Sequence, residues 1–240
     1  MTNKYYSEGP QRAAKVNDLF DFVAPRYDLM NDLQSFGLHR LWKRRLVRRA
    51  NPRPSEKALD LCCGTGDIAF ALAWHGAQVV GLDFSRPMLA AAETRSRKLS
   101  AGIRPQFICG DALQAPFADR TFEIVTIGYG LRNLASSEAG LREMRRVLKP
   151  GGRLLVLDFG KPDNPLWHRI YYAYMKTFVP ALGRMVCGDA AAYAYIVESL
   201  NHYPAQRGVA EQMRELQLVN VQIINLLGGV SSIHCAEKPA

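Results

Sequence analysis

Residues Asp60-Leu-Cys-Cys-Gly64-Thr-Gly66-Asp67 constrain this chain more than any other stretch. The apolar pair Ala58-Leu59 precedes them, and Ile68 to Trp74 reads as a helix. A short strand that breaks at two glycines and then enters a helix is the opening of a βαβ unit. Glycine adopts backbone conformations closed to other residues and lets the main chain come close to a small molecule. The turn therefore reads as a ligand-binding turn.

Two ligand classes compete for it. Gly64-Thr-Gly66-Asp-Ile-Ala69 fits the loose dinucleotide pattern of two glycines followed by Gly or Ala. A dinucleotide would bring its pyrophosphate here, where Asp60 and Asp67 would repel it. S-adenosylmethionine instead carries an ammonium and a sulfonium beside its ribose. The flanking acids therefore favour a methyl donor, with Asp60, Gly64 and Gly66 as its first contacts.

The rest of the chain supports an α/β reading. Strands are predicted at Lys57–Cys62, Ala77–Leu82, Gln106–Cys109, Glu123–Ile127 and Arg153–Phe159. Helices are predicted at Asp67–His75, Pro87–Leu99 and Ser137–Leu148, with a turn at Lys149-Pro-Gly-Gly152. Such alternation implies a parallel sheet with helices on both faces. Residues from about Ala13 to Arg49 read as helical, and Asn51-Pro-Arg-Pro54 separates them from the first strand. After Phe159 the pattern changes to an aromatic helical stretch, then a helix at Pro204–Leu216 and a hairpin, Val219–Leu227 with Ser231–Glu237. The expected organisation is an N-terminal helical cap (1–54), a Rossmann-like core that binds S-adenosylmethionine (55–160), an aromatic substrate cap (161–204) and a helix and hairpin completing the core (205–240).

Acids at successive strand ends extend the site. Asp83 closes the second strand about 20 residues after the glycine turn, where a carboxylate can accept both ribose hydroxyls. Asp111 follows the third strand; its side chain can take an adenine amine while the Ala112 amide meets a ring nitrogen. An Asx turn would explain Asp111 equally well.

Together these features resemble the class I S-adenosylmethionine methyltransferases, and more narrowly the ubiquinone/menaquinone-biosynthesis C-methyltransferases. Tyr27-Asp-Leu-Met-Asn31-Asp-Leu-Gln-Ser35-Phe-Gly37-Leu-His39-Arg-Leu-Trp42 is similar to that family's first signature. Arg146-Val-Leu-Lys-Pro-Gly-Gly-Arg-Leu-Leu-Val-Leu-Asp-Phe159 is similar to its second, and Gly128-Tyr-Gly-Leu-Arg132-Asn133 lies between them. The resemblance runs from about Lys15 to the end of the chain. It implies a mostly parallel seven-stranded sheet with a terminal antiparallel hairpin, helices on both faces, N-terminal helices and a helical insertion. It implies methyl-donor contacts at Thr65, Asp83, Asp111, Ala112 and Gly128, the last through backbone alone. Within that family the resemblance leans towards the demethylmenaquinone methyltransferases or a dual role, and the implied substrate is a prenylated hydroquinone.

The implied reaction sets a chemical requirement. A quinone ring is electron-poor, whereas a hydroquinone carbon beside a hydroxyl is nucleophilic, more so once that hydroxyl ionises. A phenol holds its proton up to a pKa of about 10, so some group must take the proton or stabilise the phenolate. Arg132 can stabilise the phenolate, Asn133 can orient the ring oxygen, and Tyr129 can stack on the ring. His202 and Tyr203, at the end of the insertion, can reach back as base and substrate contact. Tyr27 and His39 of the first signature can close the pocket. Each has a plainer role open to it: an ion pair for Arg132, core packing for Tyr129, a structural or exposed histidine at 202. No metal is required, and no metal-type spacing occurs among the five cysteines, which read as reduced cytoplasmic thiols.

The formal net charge of +9 bears on partners. Arg40, Lys43, Arg44, Arg45, Arg48, Arg49 and Arg53 cluster with no acid among them, while Leu38, Leu41, Trp42 and Leu46 recur at helical spacing. This suits a solvated helix packed through Trp42, or a helix lying on an anionic membrane surface. Trp167, Tyr171, Tyr172, Tyr174 and Phe178 of the insertion suit an isoprenoid tail. The start of the sequence lacks the apolar core of a secretory signal, and no apolar run approaches the roughly 20 residues of a membrane span. The expectation is a cytoplasmic enzyme with a peripheral position on the inner face of the cell membrane, no nucleic-acid partner, and a homo-oligomer left open. Alternatives are a methyltransferase acting on a tailless phenol, an RNA-binding or RNA-modifying protein, and a silent scaffold that binds the methyl donor.

Overall fold

The computed structural model describes residues 3–6 and 11–240. Five parallel strands form the centre: β1 (Lys57–Leu61), β2 (Gln78–Asp83), β3 (Gln106–Cys109), β4 (Phe122–Gly128) and β5 (Leu148–Phe159). β6 (Val219–Leu226) and β7 (Ser231–Glu237) add an antiparallel pair. The sheet order is β3-β2-β1-β4-β5-β7-β6, so the last strand of the chain enters between β5 and β6. The order reverses at β1, whose two neighbours, β2 and β4, lead away in opposite directions along the sheet. Ligands of open α/β sheets bind at such switch points, outside the carboxyl ends of the strands.

The central strands are apolar because both faces are covered. Leu154, Leu155, Val156 and Leu157 of β5 are all buried, as are Ile124, Val125 and Ile127 of β4. β5 begins earlier than the sequence predicts. Leu148 pairs with Phe122 and Arg153 with Ile124, so Lys149–Gly152 loops out of the ladder as the predicted turn. The helices between strands are α4 (Asp67–Trp74), α5 (Arg86–Ser96) and α6 (Ser137–Val147). Ser85 Oγ caps α5 by accepting from Met88 N at 3.4 Å, and Ser136 Oγ caps α6 by accepting from Ala139 N at 3.1 Å.

Among the described residues three α-helices precede the sheet: α1 (Arg12–Val23), α2 (Tyr27–Ser35) and α3 (Leu38–Ala50). α3 buries Trp42, Leu46, Val47 and Ala50 and turns Arg40, Arg44, Arg45, Arg48 and Arg49 outward. Burial of its three large apolar side chains is worth about 1.5–3 kcal/mol each. Lys43 leaves the basic face and pairs with Asp67 at 2.9 Å. The aromatic stretch forms α7 (Pro165–Cys187) and α8 (Ala190–His202), and α9 (Ala205–Glu215) returns to the sheet. Gly188, with φ 79°, ends α7, and Asp189 caps α8. One continuous apolar core joins residues of α1–α3, the sheet, α7 and α8. Among the described residues no helix is long and apolar enough to cross a membrane.

Candidate active site

The strand-end turns assemble first. β1 leaves the sheet through Cys62 and Gly64 in left-handed conformation, and Gly66, with φ 88°, caps α4. β4 leaves through Tyr129, a non-glycine residue held at φ 58° with its amide donating to Leu157 O at 2.6 Å. A bulky residue in that region stores strain that its surroundings must hold. Gly130 follows because the turns of β1 and β4 touch there: a Cβ would sit 2.5 Å from Cys62 Cβ.

Between these turns lies a cavity of about 170 Å³, walled by Cys62, Gly64, Asp83, Asp111, Ala112, Gly128, Tyr129 and Asn133 and roofed by Ala13, Val16, Phe20 and Tyr27. Asp83 is almost fully buried; its oxygens accept from Gly64 N at 2.8 Å and Ser85 N at 3.0 Å. Burial pushes its carboxyl up, and those amides hold it down in part. Asp111 makes the Asx turn, accepting from Leu113 N at 2.8 Å, while still lining the cavity.

Three other predicted contacts stand behind this wall. Asp60 is buried, accepts from Thr126 Oγ1 at 2.7 Å, and has its carboxyl pushed up to about 7 by burial. Thr65 donates to Asp28 Oδ1 at 2.9 Å, tying α2 to the turn. Gly66 serves the start of α4. The charge expected at the turn is corrected in the same way. Burial opposes the charge on Asp67, but Lys43 at 2.9 Å and Arg95 at 2.6 Å outweigh it and hold the carboxyl well below the usual range. The flanking acids thus give the cavity little net charge, and its negative character comes from Asp83 and Asp111.

A second cavity, about 250 Å³, is apolar. It draws on Leu19 and Val23 of α1, Trp42 of α3, Tyr171 and Met175 of α7, Ile196 of α8, and Leu227 and Val230 of the final loop. Phe20, Tyr27 and Tyr129 line both cavities and form their shared wall.

Arg132 lines the apolar cavity beside that wall. Its Nη1 donates to Asp158 Oδ1 at 2.7 Å and to Tyr129 O at 2.5 Å, and its guanidinium lies 4.7 Å from the Phe159 ring. Burial opposes its charge, but Asp158 more than compensates. Asn133 lines the other cavity; it donates to Tyr129 O at 3.1 Å and accepts from Tyr195 Oη at 3.2 Å. Tyr27 and His39 line the apolar cavity.

Two predicted residues are not brought to the site. His202 stacks on Tyr6 at 4.8 Å, lies 3.7 Å from Glu198, and lines neither cavity. It occupies the last position of α8, which carries its side chain outward to 43% exposure. Tyr203 is buried next to it and lines neither cavity, and burial pushes its phenol well up. Sequence reasoning missed Asp158, although an acid closing a central strand carries the same signal as Asp83. It also missed the roof from α1 and the final-loop residues, for which no local signal exists.

Residues 9–238 match the model of the ubiE/COQ5 methyltransferase family. The chain belongs to that family. It is 42% identical over 234 residues to the ubiquinone/menaquinone biosynthesis C-methyltransferase UbiE of Ectopseudomonas mendocina, covering 95% of this chain and 91% of that one. It is likewise 42% identical to UbiE of Cupriavidus pinatubonensis, covering 95% and 94%. Among solved structures, the [4+2]-cyclase SpnF shares the fold with a TM-score of 0.65 at 18% identity, covering 98% of both chains. A phosphoethanolamine N-methyltransferase of Haemonchus contortus with bound S-adenosylhomocysteine shares it at 0.64 and 17% identity, covering 83% of this chain and 52% of that one.

Proposed function

We propose that this methyltransferase moves the methyl group of S-adenosylmethionine to a ring carbon of a prenylated hydroquinone in menaquinone or ubiquinone biosynthesis. The shared wall of Phe20, Tyr27 and Tyr129 is the observation that carries the reading. It joins a cavity with acids at strand ends to an apolar cavity, as a transfer between a charged nucleoside and a greasy aromatic requires. The methyl donor occupies the sheet-edge cavity, its ribose against Asp83 and its adenine near Asp111 and Ala112. The quinol ring stands at the shared wall and its tail runs among Trp167, Ile170 and Leu227.

In the transfer the carbon–sulfur bond breaks with its electron pair left on sulfur as S-adenosylhomocysteine, a carbon–carbon bond forms, and the ring carbon's proton passes to water as the ring regains aromaticity. Placing sulfur, methyl and carbon in line supplies much of the acceleration. The Arg132 guanidinium, already neutralised in part by Asp158, stabilises the phenolate through its remaining edge, where Nε has no partner among the described residues. Changing Arg132 to Ala tests this. Quinol methylation falls by about 100-fold or more; wild-type turnover with wild-type affinity for the methyl donor would show the assignment to be wrong.

The same reading accounts for the cavity rim. Phe36, Ile170 and Leu227 line the apolar cavity yet are 75%, 50% and 52% exposed. The outward arginines of α3 supply positive charge on the same molecule. We place the enzyme in the cytoplasm, peripheral on an anionic membrane surface from which it takes its substrate. Sedimentation with anionic and neutral liposomes checks this; failure to bind either would remove the membrane from the account.

A further inference from the structure

Apart from Arg132, the apolar cavity has a polar corner where α2 meets α3. Asn31, Gln34, Ser35 and His39 all line it. Tyr27, Asn31 and Ser35 are four residues apart and share one face of α2. A polar stripe therefore runs from the shared wall to the His39 imidazole.

The hydrogen bonds in this corner fix its protons. Ser35 Oγ lies 2.6 Å from Asn31 O and 2.8 Å from His39 Nδ1. A carbonyl oxygen can only accept, so the single Ser35 hydroxyl proton goes to Asn31 O. The 2.8 Å contact to Nδ1 is then a bond in which His39 Nδ1–H donates to Ser35. The ring is neutral with its proton on Nδ1, and Nε2 carries the lone pair. Burial, helped by Lys43, pushes the His39 pKa down to about 4, consistent with a neutral ring. The 3.9 Å approach of Nε2 to Asp32 Oδ1 is not an ion pair, because Arg40 Nε donates to that oxygen at 2.5 Å and Arg40 Nη2 to its neighbour at 2.6 Å. Gln34 adds a second acceptor. Its Nε2 donates to Asn31 Oδ1 at 2.7 Å, and its buried Oε1 has no partner among the described residues.

We propose that this corner selects the oxidation state of the substrate: His39 Nε2, supported by Gln34 Oε1, accepts a hydrogen bond from the ring hydroxyl remote from Arg132. The inference rests on the quinol reading of the apolar cavity and adds a specificity residue to it. A hydroquinone offers an O–H at that position. A quinone offers a carbonyl, so acceptor would face acceptor and both would be buried without a proton between them. The opposite end of the ring meets the Arg132 cation, which suits an oxygen that becomes negative. The cavity thus has a hydrogen-bond polarity matched to the reduced ring, the only form nucleophilic enough to take the methyl group.

The test compares binding of one ring in two oxidation states. A naphthoquinone carrying a single isoprene unit, and its dithionite-reduced quinol, are titrated anaerobically against the protein loaded with S-adenosylhomocysteine. Wild type should hold the quinol about tenfold or more tighter than the quinone. His39→Phe keeps an aromatic ring without the acceptor and should bring the two affinities to within about twofold of each other. His39→Gln returns an amide oxygen and should restore part of the preference. Ser35→Ala removes the partner that fixes the tautomer and should give an intermediate loss. A merely structural histidine would weaken both ligands together and leave their ratio untouched, so an unchanged ratio in His39→Phe overturns the proposal. If that variant does not take up S-adenosylhomocysteine, the ratios for Ser35→Ala and His39→Gln decide on the same criterion. Equal wild-type affinity for both forms, with turnover of the quinol intact, sinks this inference alone. Neither binding nor turnover of the quinol would sink the functional reading and this inference with it.

Discussion

The two cavities are built in different ways. The sheet-edge cavity is made of chain turns: Gly64, Asp83, Ala112 and Gly128 stand at the ends of four neighbouring strands, and backbone amides fix the key carboxylate. The apolar cavity is made of side chains from α1, α2, α3, α7, α8 and the final loop, segments far apart in sequence. The first is set by strand order and by turns in which Gly128 and Gly130 leave no room for a Cβ. The second depends on how six separate pieces pack, so it can be reshaped for a new tail or ring without disturbing the first. Arg132 and Tyr129 sit where the two constructions meet.

The pivot should be the most fragile point. Asp158→Ala leaves the buried Arg132 cation without its partner and costs about 3–5 kcal/mol of stability. Thermal or urea unfolding measures this. A loss below about 1 kcal/mol would mean that the pair does not hold the two cavities together.

Asp83→Ala separates the cavities next. It removes the acceptor of two backbone amides and, on the proposed function, of the ribose hydroxyls; the expected cost is about 3 kcal/mol, or roughly 100-fold in affinity for S-adenosylhomocysteine. Calorimetry should show that loss while quinol affinity stays within a few-fold. Equal loss of both ligands would dissolve the distinction.

Asp60→Asn asks whether the acid ahead of the glycine turn is structural. The folded protein holds a proton on Asp60 up to about pH 7, against an ordinary aspartate value of 3.8. A raised folded-state pKa means that stability is greatest below about pH 4 and falls as pH climbs from about 4 to 7. Relative to Asp60→Asn, wild type should therefore lose on the order of 3 kcal/mol across that window, with affinity for the methyl donor little changed. A flat difference between the two proteins would contradict the buried, half-protonated acid.

The smallest effect belongs to the rim. Leu227→Asp places a charge at the mouth of the apolar cavity and should raise KM for a tailed quinol about tenfold, roughly 1.4 kcal/mol. A tailless quinol and the methyl donor should be unaffected. A rise for the tailless ring as well would move Leu227 from the tail path to the ring site.

Legibility followed the same division. Asp83, Asp111 and Ala112 could be placed at the cavity wall from the residues because they lie at or just past the ends of strands whose apolar runs are visible in the sequence, and parallel strands bring such ends to one edge, whereas Gly128 came from the family resemblance. The acids flanking the glycine turn were misread for a local reason. Sequence shows that Asp67 is an acid but not that Lys43, 24 positions earlier, folds against it. Of the polar residues offered for the chemistry, Arg132 and Asn133 lie on a turn beside a strand end and reach the site. His202 was offered because an imidazole suits a base and it closes the insertion, and helix phase turns it outward.

The sequence by itself determined the sheet, its helices and the strand-end cavity, because hydrophobic period and glycine turns act over a few residues and the handedness of βαβ crossovers leaves little choice of order. Tertiary structure alone decided the apolar cavity, the Arg132–Asp158 pair and the charge state of the turn. Those depend on which distant side chains meet, and burial and pairing set their energies only after the chain has folded.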